Sequence, residues 1–168
     1  TAWLHVLGAC KKLFETITYL KKVTDSSGTL LTPLVRQLAG VYQLVEASSI
    51  YVDVSTHLAM SETLGSALRC CGFAEFLEIV PLRAAASTPE YMAIDPAREW
   101  LLPLFHTNLK IMRCSLCDYA IIILPMVEIC KGAVERPTDF QLNPSQVALV
   151  KARVMQLLSL FPDFCHMG

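Results

Sequence analysis

The sequence predicts an all-α fold of antiparallel helix pairs. Three observations carry that expectation. Apolar residues recur at three- and four-residue steps along almost the whole chain, the period of a helix face. No two runs combine two-residue alternation with a hairpin turn. Three apolar-Pro-apolar steps, Val80-Pro81-Leu82, Leu102-Pro103-Leu104 and Leu124-Pro125-Met126, recur every 22 residues. Two such steps fall inside the ~40–47 residue unit of HEAT and armadillo repeats. The expected architecture is therefore an α-solenoid of HEAT/armadillo-like antiparallel helix pairs.

The elements follow in order. Leu4, Leu7, Cys10, Leu13, Phe14, Ile17 and Leu20 form the apolar stripe of a first helix. Asp25-Ser26-Ser27-Gly28 is a turn. Thr32-Pro33 opens a second helix, Thr as N-cap and Pro at the first helical position. Its apolar face is Leu34, Leu38, Val41, Tyr42 and Val45. A third helix runs from about Val54 to Cys71 and stops at Gly72. Leu58, Leu64, Ala67, Leu68 and Cys71 form its apolar face, and a short helix from Phe73 to Ile79 follows. Pro81 to Asp95, rich in small residues between prolines, reads as an exposed connector. Asp95-Pro96 restarts a helix through Trp100, Leu101, Leu104 and Phe105. A longer one covers about Ile111 to Cys130, with a loop from Lys131-Gly132 through Arg136-Pro137. Asn143-Pro144 opens the last, which reaches about Phe161.

Composition bounds the function. The chain has 168 residues, 54% hydrophobic and 17% charged, a net charge of -1 and seven cysteines. Mean hydropathy is +0.46. Disordered chains are polar and charge-rich, so that class is excluded. A free-standing nucleic-acid binder would carry a strong basic excess. A membrane span needs about 18 consecutive apolar residues; the longest apolar run, Tyr119 to Val127, is half that and contains Pro125. The odd cysteine count fits a reducing compartment. The chain opens inside an apolar pattern, Thr1-Ala2-Trp3-Leu4. Residues 1–168 are thus expected to be a single α-helical segment of a longer solenoid, with the exposed connector at about 81–95.

Candidate chemistry is sparse. Cys114-x-x-Cys117 is the one metal-like or redox-like pair. A structural zinc needs four ligands, and a second such pair is absent from the sequence, so buried structural cysteines are the favoured reading. His5, His57, His106 and His166 lie in no nucleophile signature. No phosphate-loop motif occurs. No cofactor or small-molecule substrate is expected. Lys11 and Lys22 stand three helical turns apart, with Lys12 and Lys21 beside them; such a row can track phosphates but more often is a solvated face. Lys110 with Arg113 and Lys151 with Arg153 are weaker candidates.

Four segments together carry a resemblance. They are Gly72-Phe-Ala-Glu-Phe-Leu-Glu-Ile-Val-Pro81-Leu82, Arg98-Glu-Trp100-Leu-Leu102-Pro103-Leu104, Ile123-Leu-Pro125, and Gln156-Leu-Leu-Ser-Leu-Phe-Pro162-Asp-Phe164-Cys165. In this order they resemble the ribosomal RNA-processing protein 12 family, HEAT-repeat ribosome-assembly factors, from about Tyr42 to Cys165. Phe73 stands where the family usually has Pro, and Leu158 where it has Trp.

The resemblance implies a non-catalytic scaffold of the nucleolus and nucleus, bound to assembly factors and pre-ribosomal RNA within small-subunit precursors. It implies packing and helix-start roles for Gly72, Pro81, Trp100, Leu102, Pro103, Pro125, Gln156, Pro162, Phe164 and Cys165. Trp100 is also a candidate partner contact, as tryptophan is enriched at binding hot spots. With Lys11, Lys12, Lys21 and Lys22 it forms the candidate RNA or partner surface. Two rivals stand: another helical-repeat adaptor such as a nuclear-transport segment, and a metal or redox module using Cys114 and Cys117.

Overall fold

Three small residues in succession, Gly65, Ser66 and Ala67, are buried in helix α3 (Val54–Cys71) and let neighbouring helices approach its backbone. Against it pack α1 (Ala2–Thr24), α2 (Thr32–Ala47) and α4 (Phe73–Ile79). The computed structural model describes residues 2–24, 31–47, 52–83, 89–112 and 114–165, with side chains from 21 to 24 outside the description. The expected turn at Asp25–Gly28 also lies outside the described residues. Every regular element described is helical, as expected. None is long and apolar enough to cross a membrane. The chain divides into two compact units, Thr1–Pro81 and Leu82–Gly168.

In the first unit the centre of the α1 stripe is narrower than its spacing suggests. Leu7 and Phe14, seven residues apart, are buried, while Leu4, Leu13 and Leu20 are exposed. Where α1 meets α3, Thr63 Oγ1 donates to the Leu7 carbonyl at 3.3 Å as well as to Ala59 O. On α2 the buried line is Val35, Ala39 and Tyr42, with Leu34, Leu38, Val41 and Val45 half-buried beside it. α3 has the expected bounds, but Leu58 is exposed and Cys71 half-buried. Its buried set extends around Met60, Thr63 and Leu64, because neighbours cover it on more than one side.

Local chemistry sets both ends of α3. Asp53 is extended, and its carboxylate accepts from the Thr56 amide at 2.9 Å and the Thr56 hydroxyl at 2.7 Å. Gly72 has φ of 93°, a region costly to side chains with a Cβ. Its amide donates to Leu68 O at 2.9 Å and its carbonyl accepts from Phe76 N at 3.0 Å, so one residue closes α3 and opens α4.

In the second unit, residues 84–88 of the expected connector lie outside the described residues. Of its flanks, Pro81, Pro89 and Glu90 are exposed, while Leu82, Ala93 and Ile94 are buried. Asp95 N donates to Leu82 O at 2.9 Å. Asp95 then caps a 3-10 turn, Pro96–Arg98, and α5 (Leu101–Asn108) starts later than the dipeptide suggested. The long helix also starts later, at α6 (Leu116–Asp118), because Ser115 and Asp118 form a reciprocal capping box.

A π turn, Tyr119–Ile123, joins α6 to α7 (Leu124–Glu135). The Leu124 amide reaches back to Tyr119 O. A proline in a regular helix collides with the carbonyl four residues before it. For Pro125 that carbonyl belongs to Ile121, inside the widened turn. Lys131 and Gly132 continue α7 rather than starting a loop. Asn143 and Gln146 form a second capping box ahead of α8 (Pro144–Ser159). Leu160 ends α8, and Phe161-Pro162 begins the single turn α9 (Phe161–Phe164). Buried Tyr119 meets the Phe161 and Phe164 rings edge-on at 5.2 and 5.4 Å.

Candidate functional site

A cavity of about 650 Å³ opens between α5 and the C-terminal half of α8. Trp100, Leu102, Pro103 and His106 line one side, and Gln156 and Ser159 the other. Trp100 is only 9% exposed, so little of its surface is free. Two sequence segments more than fifty residues apart thus converge here: the Trp100-Leu-Leu102-Pro103 run and the segment that begins at Gln156.

A buried guanidinium orders this wall. Arg153 is 2% exposed. It donates to Glu99 Oε1 and, at 2.8 Å, to Gln156 Oε1. A buried charge is tolerated only when paired and hydrogen-bonded, so Arg153 holds both Glu99 and Gln156 in place. Pairing Arg153 with Lys151 as a basic surface fails for that reason: Arg153 faces inward and Lys151 is exposed.

Beside it stand His106, Asp163 and Ser159. His106 Nδ1 lies 2.5 Å from Asp163 Oδ2, and Nε2 lies 3.2 Å from Ser159 Oγ. Asp163 is buried, with Lys110 Nζ at 3.7 Å from its other oxygen. The order is that of a nucleophilic triad, and the serine hydroxyl has a second partner. Ser159 Oγ donates to Gln156 O at 2.7 Å. The hydroxyl oxygen also stands 3.2 Å from His106 Nε2, the donor between them being set by the imidazole's tautomer. The three side chains link α5 to α8 and α9 and brace them against one another. No local spacing announces it, because His106 and Asp163 are 57 positions apart.

The remaining candidates are dispersed. Lys11 Nζ donates to Glu62 at 2.6 Å, Lys12 is exposed, and the Lys21 and Lys22 side chains lie outside the described residues. Gly72 caps α3; Pro81, Pro125 and Pro162 are exposed; Phe164 is buried. Cys165 is exposed, its thiol donating to Phe161 O at 3.4 Å. Arg113 lies outside the described residues. Burial, then the nearby Asp118 carboxylate, pushes the Cys114 thiol up to about 11. Cys117 is exposed. Among the described residues no group of three His, Cys, Asp or Glu is placed to hold a metal ion.

The family model described as Ribosomal RNA-processing protein 12, HEAT repeats, matches residues 1–168. No curated protein and no solved structure matches the chain.

Proposed function

The chain belongs to the ribosomal RNA-processing protein 12 HEAT-repeat family, and on that premise we propose that it is a non-catalytic scaffold in ribosome biogenesis. The family match over residues 1–168 is the observation that carries this reading. In finer terms, the chain works in small-subunit precursor assembly and rRNA processing, with a part in export. It acts in the nucleolus and nucleus, binding assembly factors and pre-ribosomal RNA.

The mechanism is binding. Helical repeats expose long surfaces built from stacked helix pairs. Affinity on such surfaces comes from a few anchors in desolvated pockets with a polar rim. The cavity beside Trp100 has that composition, lined by Leu102 and Pro103 together with Glu99, Gln156 and Ser159. The Arg153 and His106 contacts hold its polar rim rigid, which lowers the ordering cost of association. Lys12 and its neighbours on α1 supply phosphate contacts.

The test is affinity purification of the tagged full-length protein from cells, identifying co-purifying proteins and RNA. Recovery of small-subunit precursor RNA with assembly factors is expected. Recovery of transport factors without precursor RNA overturns the reading in favour of a transport adaptor.

A further inference from the structure

We propose that a second groove, between α7 and α8, docks an acidic peptide segment carrying one apolar anchor. The groove is a cleft of about 430 Å³, large enough for one or two apolar side chains and within the usual range of ligand pockets. Its apolar lining is Val134 from α7 and Val154 and Met155 from α8. Met155 is 67% exposed, and an unbranched thioether adapts its shape to an incoming side chain.

The rim specifies the charge of the occupant. Lys131 on α7 and Lys151 on α8 line the groove from opposite helices, and both are exposed. Neither ammonium has an ion pair among the described residues. By contrast Lys11 has Glu62 and Lys110 has Asp163 within reach. Glu135 supplies the one carboxylate of the lining, so the groove carries a net positive charge around an apolar floor. An apolar side chain flanked by Asp or Glu complements both features: the anchor fills the floor, and the carboxylates meet the lysines. Rim charges of this kind raise association rate and select partners, while the anchor supplies affinity.

A nucleic acid fits less well. Single strands bind by stacking on aromatic side chains along a basic track. The lining of this groove holds no aromatic residue, and phosphates on the two lysines would leave its floor uncovered.

The inference rests on the scaffold reading, because it names the chemistry of one partner. Its test uses the 168-residue chain and a fluorescein-labelled 12-residue peptide with a single central Leu between Glu and Asp residues, read by fluorescence anisotropy. Saturable binding is expected. The double variant Lys131→Glu/Lys151→Glu and the single variant Met155→Asp should each weaken it roughly tenfold or more. Arg36→Glu, a charge reversal on the exposed surface of α2, should leave it unchanged. Unchanged far-UV circular dichroism shows that the variants fold. Absent binding, or binding insensitive to the groove variants, overturns the proposal. So does displacement of the peptide by a single-stranded RNA oligomer whose own binding needs Lys131 and Lys151. Failure here alongside recovery of precursor RNA by the tagged protein overturns the groove alone. Failure to recover precursor RNA overturns the scaffold reading instead.

Discussion

Asp163, a carboxylate only 4% exposed, lies 2.5 Å from the Nδ1 of His106 on α5. This contact fixes the end of α9 against α5, beside the cavity. Removing the histidine leaves a buried acceptor with only the more distant Lys110 opposite it. His106→Ala should lower unfolding free energy by about 1–3 kcal/mol, the cost of a buried unsatisfied group. Equilibrium urea denaturation measures it. A change under about 0.5 kcal/mol, typical of surface substitutions, contradicts the brace.

Arg153 gives a sharper test. Breaking a buried pair by removing one partner costs about 3 kcal/mol or more, whereas an apolar replacement of both is often neutral. Glu99→Ala should therefore destabilise strongly, and Arg153→Met in that background should restore part of the loss. A double-mutant cycle in denaturant reads the coupling. Strict additivity would show that Arg153 does not depend on Glu99.

The seven cysteines should separate by reactivity. Cys117 and Cys165 are exposed, whereas Cys70 and Cys130 are buried. Burial pushes the Cys130 thiol up to about 11 against an ordinary 9.0, partly offset by Arg153. Its Sγ donates to Tyr91 O at 3.1 Å. A thiol raised from 9.0 to about 11 has its thiolate fraction cut roughly a hundredfold near neutral pH, and the thiolate is the nucleophile. Iodoacetamide labelling of the native chain near neutral pH, mapped by mass spectrometry, should mark Cys117 and Cys165 first. Cys70 and Cys130 should react only after unfolding. Rapid native labelling of Cys114 would revive a redox role for that pair.

Two groups of the first unit carry a pH dependence of opposite sign. Hydrogen bonds from Ser55 and then Thr56 hold the Asp53 carboxyl well below its ordinary 3.8. A depressed acid stabilises the fold above that value and loses its contribution as pH falls below it. Burial, then the Glu46 carboxylate, pushes the Tyr42 hydroxyl from 10.0 up to about 12. That contribution is complete below pH 10 and fades between 10 and 12. Thermal melting across pH should show an acid limb reduced in Asp53→Asn and an alkaline limb reduced in Tyr42→Phe. Unaltered limbs in both variants would place the titrating groups elsewhere.

Much of the helical plan was legible because its signals are local. Val54–Cys71 and Phe73–Ile79 have the bounds their sequence indicates, since Gly72 punctuates both. Asn143-Pro144 likewise marks the start of α8. Ser115 was the missed signal: its capping box with Asp118 is visible in sequence yet sits inside an apolar run that suggests continuous helix. The stripe on α1 overstated burial, because periodicity shows which face is apolar but not how wide a neighbour covers it. The cavity wall was half legible. Trp100, Leu102, Pro103 and Gln156 lie in the segments that carry the family resemblance, whereas Glu99–Arg153 and His106–Asp163 pair over more than fifty positions, a distance at which single-sequence spacing carries no information.

The π turn at Tyr119–Ile123 makes the chain's length and its proline content interdependent. The wide ring stores one residue more than an α-helical turn requires. Deleting Ala120 would draw the segment back to ordinary pitch while keeping the downstream faces of α7 in phase. A deletion in the middle of α8 would rotate everything after it by about 100°. Yet a regular pitch also returns the Pro125 ring against the Ile121 carbonyl. The deletion and Pro125→Ala should therefore be tolerated together far better than the deletion alone. In an evolving lineage the proline would have to leave first, so the order of two mutations is constrained by a single turn of backbone.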